Sequence, residues 1–418
     1  MLDLLLRNVS VPGDRVVDIG ARAGRTVRVD SNQDAARTID CRGLLVMPAG
    51  VDIHVHLRGG AQAYKEDWES GTRAALAGGV TVIVDQPNTD PPLETPERFR
   101  ARVDQGLKKS RCGFGINGAV TPDAEIEGLH VAGAIAFGEI FVAASSYGSA
   151  IDTGMLQDAL ARVARLGALA TLHLEEPLPG TPSTLEEHDR LRPPAGEDQA
   201  LARVLAIAPP DIRLHCCHLT SPDAVRRARV AGATAEMTPH HLLLDREAFA
   251  PGDGRGRVNP PLRTRAGREA LMACLGEASV VASDHAPHTI EEKARPFPQA
   301  PAGFPSVETM MPLLVARAIT GEFAVNRLIA LTSANPARLI GIRPAGFNPG
   351  DRADFALYRR NVEPILAERL HSRCGWTPFE GMPAVFPEIV IMGGEVAYEH
   401  GRFADLPGYW IHGKGYVA

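Results

Sequence analysis

The chain has 418 residues, of which 44% are hydrophobic, 22% charged and only 5% aromatic, and its net charge is −6. That is globular composition, with material for one large domain and a smaller one. It excludes a base-stacking surface for nucleic acid and an attraction to acidic membranes, and no apolar run reaches the length of a bilayer span.

Residues 1–50 read as short strands at 2–9, 15–19, 26–29 and 44–47, punctuated by Pro12-Gly13 and Ser31-Asn32. No helical period appears there. The N-terminus lacks a basic region and an adequate apolar core, so no signal peptide is expected. From residue 51 strand-like and helix-like segments alternate. Strands are predicted at 51–57, 81–86, 113–120, 135–142, 169–174, 212–219, 234–239 and 280–284. Helices are predicted at 67–77, 94–109, 122–133, 152–166, 198–208, 222–231, 265–276, 306–320 and 324–332. Eight apolar strands in such alternation point to a (β/α)8 TIM-type barrel over 51–344 rather than an open sheet. Strand texture returns at 354–358, 388–392 and 395–398, with Gly393-Gly394 at a hairpin position. Residues 1–50 and 345–418 are therefore expected to build one small β-sandwich domain from both chain ends. The Pro- and Ala-rich stretch 289–305 follows the last barrel strand and reads as an active-site loop. Six cysteines without CxxC spacing suit a reduced, cytoplasmic setting.

The chemistry concentrates in polar residues at the ends of the predicted strands. In Val51-Asp52-Ile53-His54-Val55-His56-Leu57-Arg58, alternation puts His54 and His56 on one face, and Arg58 with them if the strand continues. Two imidazoles so spaced can hold one divalent metal, and a guanidinium beyond them suits a carboxylate. Strand two runs into Asn88. Strand four carries Glu139 within an apolar run. Strand five ends in His173, and strand six in His215-Cys216-Cys217-His218, of which one histidine is expected to be a ligand and the cysteines to be packing. Strand seven ends in His240-His241, which an extended strand would point to opposite faces, leaving at most one toward the site. Strand eight ends in Asp284-His285-Ala286-Pro287-His288, where a carboxylate beside imidazoles suits metal ligation and proton transfer. A lone histidine is more often a core residue with a satisfied hydrogen bond. Several at equivalent strand ends form a constellation.

These residues, with Lys65-Glu66-Asp67, Glu69-Ser70-Gly71-Thr72, Pro87-Asn88-Thr89, Thr238-Pro239-His240-His241-Leu242, Asn259-Pro260-Pro261-Leu262-Arg263 and Ser283-Asp284-His285-Ala286-Pro287-His288, resemble the dihydroorotases of the cyclic amidohydrolase superfamily. The resemblance implies reversible hydrolysis of the cyclic amide of dihydroorotate to N-carbamoyl-aspartate, in pyrimidine biosynthesis. It implies two metals per subunit, usually Zn2+, and a homo-oligomer such as a dimer. By position, His54, His56 and Asp284 would hold one metal, and His173 and His218 the other. Asp284 would be catalytic. Arg58, Asn88 and His288 would bind the substrate carboxylate, Asn259 the ring, and the backbone around Gly303 and Pro305 the substrate. The resemblance departs at Glu139, where such enzymes commonly carry a carbamylated lysine that bridges the metals. Glutamate offers a carboxylate on a shorter stem, so a Glu-bridged pair, a single metal and lost activity are all open, the first being preferred because a carboxylate in an apolar strand demands cationic partners. A smaller departure is Gly59-Gly60-Ala61 after Arg58. The alternatives are another cyclic amidohydrolase, of hydantoinase or allantoinase type or acting on another carboxylate-bearing ring amide, and a non-catalytic subunit supporting a transcarbamoylase.

Overall fold

The structure, a computed structural model, describes residues 1–11, 15–29, 33–142 and 151–417, so the Pro12-Gly13 and Ser31-Asn32 turn signals lie outside the described residues. The first strands are β1 (Leu2–Val11), β2 (Arg15–Arg22), β3 (Arg25–Val27), β4 (Ala35–Asp40) and β5 (Leu44–Pro48). Next come β6 (Gly50–Val55), β7 (Val80–Asp85), β8 (Gly113–Ile116), β9 (Phe137–Phe141), β10 (Leu169–His173), β11 (Arg213–Cys216), β12 (Thr234–Met237) and β13 (Val280–Val281). The last group is β14 (Phe355–Arg359), β15 (Glu363–Pro364), β16 (Pro383–Ala384), β17 (Pro387–Met392), β18 (Glu395–Glu399) and β19 (Arg402–Phe403).

Strands β6 to β13 are parallel and in sequential order, in two arcs, β6-β7-β8 and β9-β10-β11-β12-β13. Both seams are closed by backbone hydrogen bonds. His56 N donates to His285 O at 2.8 Å, and Gly118 N donates to Ala136 O at 2.9 Å. The result is the closed eight-stranded barrel. β6 and β7 are buried along their whole length, and the few polar residues in them, Asp52, His54, Thr81 and Asp85, are buried with the rest. The outer helices start where short polar residues cap them. Asp67 accepts from the Glu69 and Ser70 amides ahead of Trp68–Ala77, and Thr95, Asp152 and Ser221 cap Pro96–Lys109, Thr153–Arg165 and Pro222–Val230.

The remaining strands form a sheet of order β3-β2-β1-β4, one of order β19-β18-β17-β14-β5, and the small β15-β16 pair. Leu4, Leu6, Val9 and Ile19 from the first sheet share one buried cluster with Phe355, Leu357, Ile389 and Ile391 from the second. Both chain ends thus meet in one apolar layer.

The observed elements differ from expectation where local chemistry ends a strand early. Thr238 caps a short helix, Pro239–Leu243, with proline at its start, so His240 and His241 lie on a helix and not at the end of a strand. The helix Leu185–Leu191, capped by Thr184, was not anticipated, because its charged sequence carries little apolar period. The stretch 289–305 contains a helix, Ile290–Lys293, with a capping box between Thr289 and Glu292. Buried Lys293 donates to Arg257 O at 2.7 Å and Pro301 O at 2.9 Å, tying that stretch down.

β6 ends at Val55, and Arg58 adopts a left-handed backbone with φ 50°, followed by Gly59 at φ 80°. The turn is fixed from below. Asp85, wholly buried, accepts from Leu57 N at 2.9 Å and from Arg102 Nε at 2.9 Å, and the guanidinium's Nη2 lies 2.7 Å from it as an ion pair. The Arg102 guanidinium lies 4.6 Å over the Trp68 ring. A side chain at Gly59 would press on Arg102, so this position requires glycine. Arg102→Met should leave Asp85 as an uncompensated buried charge and cost about 3–5 kcal/mol in denaturant unfolding. A cost under about 1 kcal/mol would show that the pair does not hold the turn.

Candidate metal centre

The barrel's C-terminal end carries a pocket of about 360 Å3 of atom-free space, lined by His56, Asn88, Glu139, Phe141, His173, His218, Asn259, Asp284, Ala286, Ala302 and Gly303. Its centre is Glu139, on β9 and almost fully buried. Glu139 divides its two oxygens. Oε1 accepts from His173 Nδ1 at 2.7 Å and from His218 Nε2 at 2.6 Å, and Oε2 stands 3.6 Å from His54 Nε2. Asp284 Oδ1 lies 3.5 Å from His54 Nε2 and 3.3 Å from His56 Nε2. Among the described residues two groups of candidate donors result in the pocket, His54–His56–Glu139 and Glu139–His173–His218, which share one carboxylate, and a third, His54–Cys217–Glu236, lies behind it.

The donor set fits metal ions. His54 Nε2, buried and aimed at two carboxylates, has no hydrogen-bond partner among the described residues. Burial acts to raise the Glu139 pKa, but the facing imidazoles of His173 and His54 outweigh it and hold the group well below the usual carboxylate range. A permanently ionised carboxylate among four histidines must be matched by cations, either protons on the rings or metals between them. Burial works against a charged His173, yet Glu139 and Glu175 prevail and raise it to about 9. Cys216 and Cys217 are raised by burial, Cys216 to about 12, so both remain thiols and packing residues.

The supporting contacts fix ring orientation. His56 Nδ1 donates to Asn88 Oδ1 at 2.7 Å. His173 Nε2 donates to Glu175 Oε2 at 2.6 Å, and Glu175 is paired with Arg192 at 2.5 Å. His54 Nδ1 donates to Glu236 Oε1 at 2.9 Å, and His215 Nε2 to Glu236 Oε2 at 3.0 Å. His215 thus stands behind the pocket and His218 in it. Neither His240 nor His241 lines it. His241 donates to Pro260 O at 2.9 Å through Nε2 and lies 2.7 Å from Thr238 Oγ1 through Nδ1. Sequence reasoning gave no role to Glu236 or to Glu175, the latter read only as a polar residue at the end of strand five. A charged residue inside the otherwise apolar Thr234-Ala235-Glu236-Met237 was the available signal for the first.

Several site residues have unusual backbones. His218 and Asp284 hold φ of 36° and 44°, a region that side chains rarely adopt. Gly138 has φ 122°, and a side chain there would overlap the Thr171 carbonyl, so Glu139 can follow only a glycine. Of the expected substrate contacts, Asn88, Asn259 and Gly303 line the pocket. Asn88 Nδ2 and Asn259 Oδ1 are buried and without a partner among the described residues, a donor and an acceptor left for a polar ligand. Arg58 and His288 do not line the pocket, because β6 stops short and the turn carries the guanidinium to Pro287 O at 3.3 Å and His288 Nε2 at 3.4 Å. His288 in turn donates to O of Ala302, a lining residue, at 3.1 Å. Pro305 faces a separate small cavity with His285, Ser306 and Trp376.

Comparison with known proteins agrees with this geometry. Residues 45–374 match the amidohydrolase family. The chain belongs to that family. Its members are metal-dependent, in keeping with the donor groups above. This amidohydrolase is 38% identical to a dihydroorotase of Methanosarcina acetivorans over 99% of this chain and 96% of that one. It is 36% identical to a dihydroorotase of Halobacterium salinarum over 96% and 95%, and 31% identical to one of Thermus aquaticus over 95% and 99%. Among solved structures it is similar to L-hydantoinase (dihydropyrimidinase) from Arthrobacter aurescens, with a TM-score of 0.91, 25% identity, and 99% and 100% of the two chains covered. D-hydantoinase (dihydropyrimidinase) from Thermus sp. shares the fold at a TM-score of 0.87, 24% identity and 99% coverage of both chains. Among the described residues, no helix is long and apolar enough to cross a membrane.

Burial holds His188, His240, His241 and His288, near the site, neutral. Burial lowers His188 to about 4, and His241 and His288 to about 3. His188 donates to Val258 O at 3.0 Å, next to Asn259. Their unfolded pKa is about 6.5, so the unfolded chain binds more protons below that pH. Stability is then fully present above about pH 6.5 and falls as pH drops toward 4, where His188 titrates. Unfolding free energies measured from pH 7 to 4 should decline, with a shallower slope in His188→Gln. A flat profile would contradict neutral burial.

Proposed function

We propose that this amidohydrolase is a dihydroorotase with a glutamate-bridged pair of metals. The observation that carries the reading is the shared carboxylate of Glu139, with one oxygen on His173 and His218 and the other toward His54. Its support in sequence is the set of dihydroorotases at 36–38% identity over nearly the whole chain. In this reading His54, His56 and Asp284 hold one metal, His173 and His218 the other, and Glu139 both. Zinc suits four imidazole and two carboxylate ligands. Bound there, the metals supply Lewis acidity, activating water and polarising the ring carbonyl.

The protein's own groups do the rest. Asp284 accepts the proton of the attacking water and returns it to the ring nitrogen as the acyl C–N bond breaks, giving N-carbamoyl-aspartate. Asn88 Nδ2 and Asn259 Oδ1 hold the substrate's carboxylate and ring N–H and so set the carbonyl in place. Arg58 brings positive charge to the rim behind the pocket, neutral His288 braces Ala302 in its wall, and the backbone at Gly303 closes the far side. Ring closure consumes a proton, so acid favours the cyclic form by mass action. The division into a barrel at 51–344 and a sandwich of 1–50 with 345–418, assembly of two or more copies, and a cytoplasmic setting belong to the same reading.

A hydantoinase-type activity shares the fold, but those structures are only 24–25% identical to this chain, against 36–38% for those dihydroorotases. A scaffold role would not require all six candidate ligands to converge. Asp284→Asn should lower kcat for dihydroorotate by about 100- to 10,000-fold while metal is retained. Arg58→Met should raise KM for dihydroorotate and spare neutral cyclic ureides. Equal loss on both substrates, or faster turnover of the neutral ones by the unaltered enzyme, would refute the assignment.

A further inference from the structure

Glu236, on β12, is fully buried and lines no part of the pocket, yet it touches a residue of each of the two pocket donor groups. Its Oε1 accepts from His54 Nδ1 at 2.9 Å and from the backbone N–H of His218 at 3.0 Å. Its Oε2 accepts from His215 Nε2 at 3.0 Å, whose other nitrogen lies 2.9 Å from Thr234 Oγ1. The Leu219 N–H donates to the Glu236 backbone carbonyl at 2.9 Å. One residue therefore fixes a ring in the first group and two successive peptides in the second.

Each contact has a chemical consequence. Holding the proton on His54 Nδ1 leaves the lone pair on Nε2, the atom that faces Glu139 and Asp284. Pinning the His218 amide stabilises a backbone at φ 36°, where a residue of this type does not rest unaided. Releasing that amide would let His218 relax and swing Nε2 away from Glu139. An apolar residue at 236 would keep the backbone bond to Leu219 but could make none of the side-chain contacts.

We propose that Glu236 is a positioning residue that couples the two metal subsites, aiming His54 and His218 together, with His215 as its anchor. The proposal rests on the binuclear reading above. The test uses metal uptake as well as turnover. Full-length protein is prepared metal-free, and zinc affinity is measured by chelator competition. Cobalt-loaded protein is followed by its visible absorption. Glu236→Gln keeps the shape and removes the charge. It should weaken both subsites by about 10- to 100-fold, shift the cobalt spectrum, and lower kcat with KM for substrate nearly unchanged. His215→Asn, which touches neither ligand, should give a smaller loss of the same sign, and it carries the test if Glu236→Gln does not fold. Glu197→Gln is the control. Glu197 is an equally buried carboxylate that holds the Thr220 and Ser221 amides at 2.8 and 2.9 Å without bonding an imidazole, and its loss should leave zinc affinity unchanged. Unaltered affinity and spectrum in Glu236→Gln or in His215→Asn, or a loss confined to one subsite, would overturn the coupling while leaving the binuclear reading intact. Unaltered protein that takes up no metal would sink both.

Discussion

The site depends on burying one carboxylate, Glu139, where only cations can compensate it. In a dry barrel an isolated carboxylate would cost far more than the fold's net stability. The chain therefore brings histidines from β6, β10 and the end of β11 around it, with Asp284 from the end of β13 on the far side of His54. The rest of the local architecture follows from that placement. Gly138 gives the backbone room beside Thr171, and the supporting carboxylates Glu175 and Glu236 hold His173 and His54 from behind.

A glutamate stem is short, so the bridge must be met by its partners rather than reach for them. The geometry accommodates this in the histidines. His173 and His218 come within 2.7 Å of one oxygen, while His54 waits at 3.6 Å from the other. The left-handed backbones of His218 and Asp284 serve the same end, since each turns a strand terminus inward. Such conformations persist only when surrounding contacts over-determine them, and the amide of His218 bound to Glu236 is one such contact.

Much of this was legible in the sequence because barrel strands place chemistry at predictable ends. His54 and His56 two residues apart, His173 and Asp284 closing apolar runs, and Glu139 inside one were each readable from alternation and burial logic. What escaped depends on contacts between distant segments. Nothing near Arg58 announces that Asp85 and Arg102 end the strand early and turn the guanidinium toward Pro287. The Thr238-Pro239 pair could have signalled a helix cap, but a strand-like run led into it. The residues alone left His215 and His218 open, and only the resemblance singled out His218, which lines the pocket. Glu236 went unread, and its role shows only in its three partners.

The central claim is that Glu139 joins two metals in a working hydrolase. Elemental analysis of protein purified without chelators, with dihydroorotate ring opening assayed on the same sample, tests it most directly. Close to two metals per chain with turnover, and loss of both in Glu139→Ala, is the expected result. One metal per chain with full turnover, or an unchanged metal count in Glu139→Ala, would contradict the bridge.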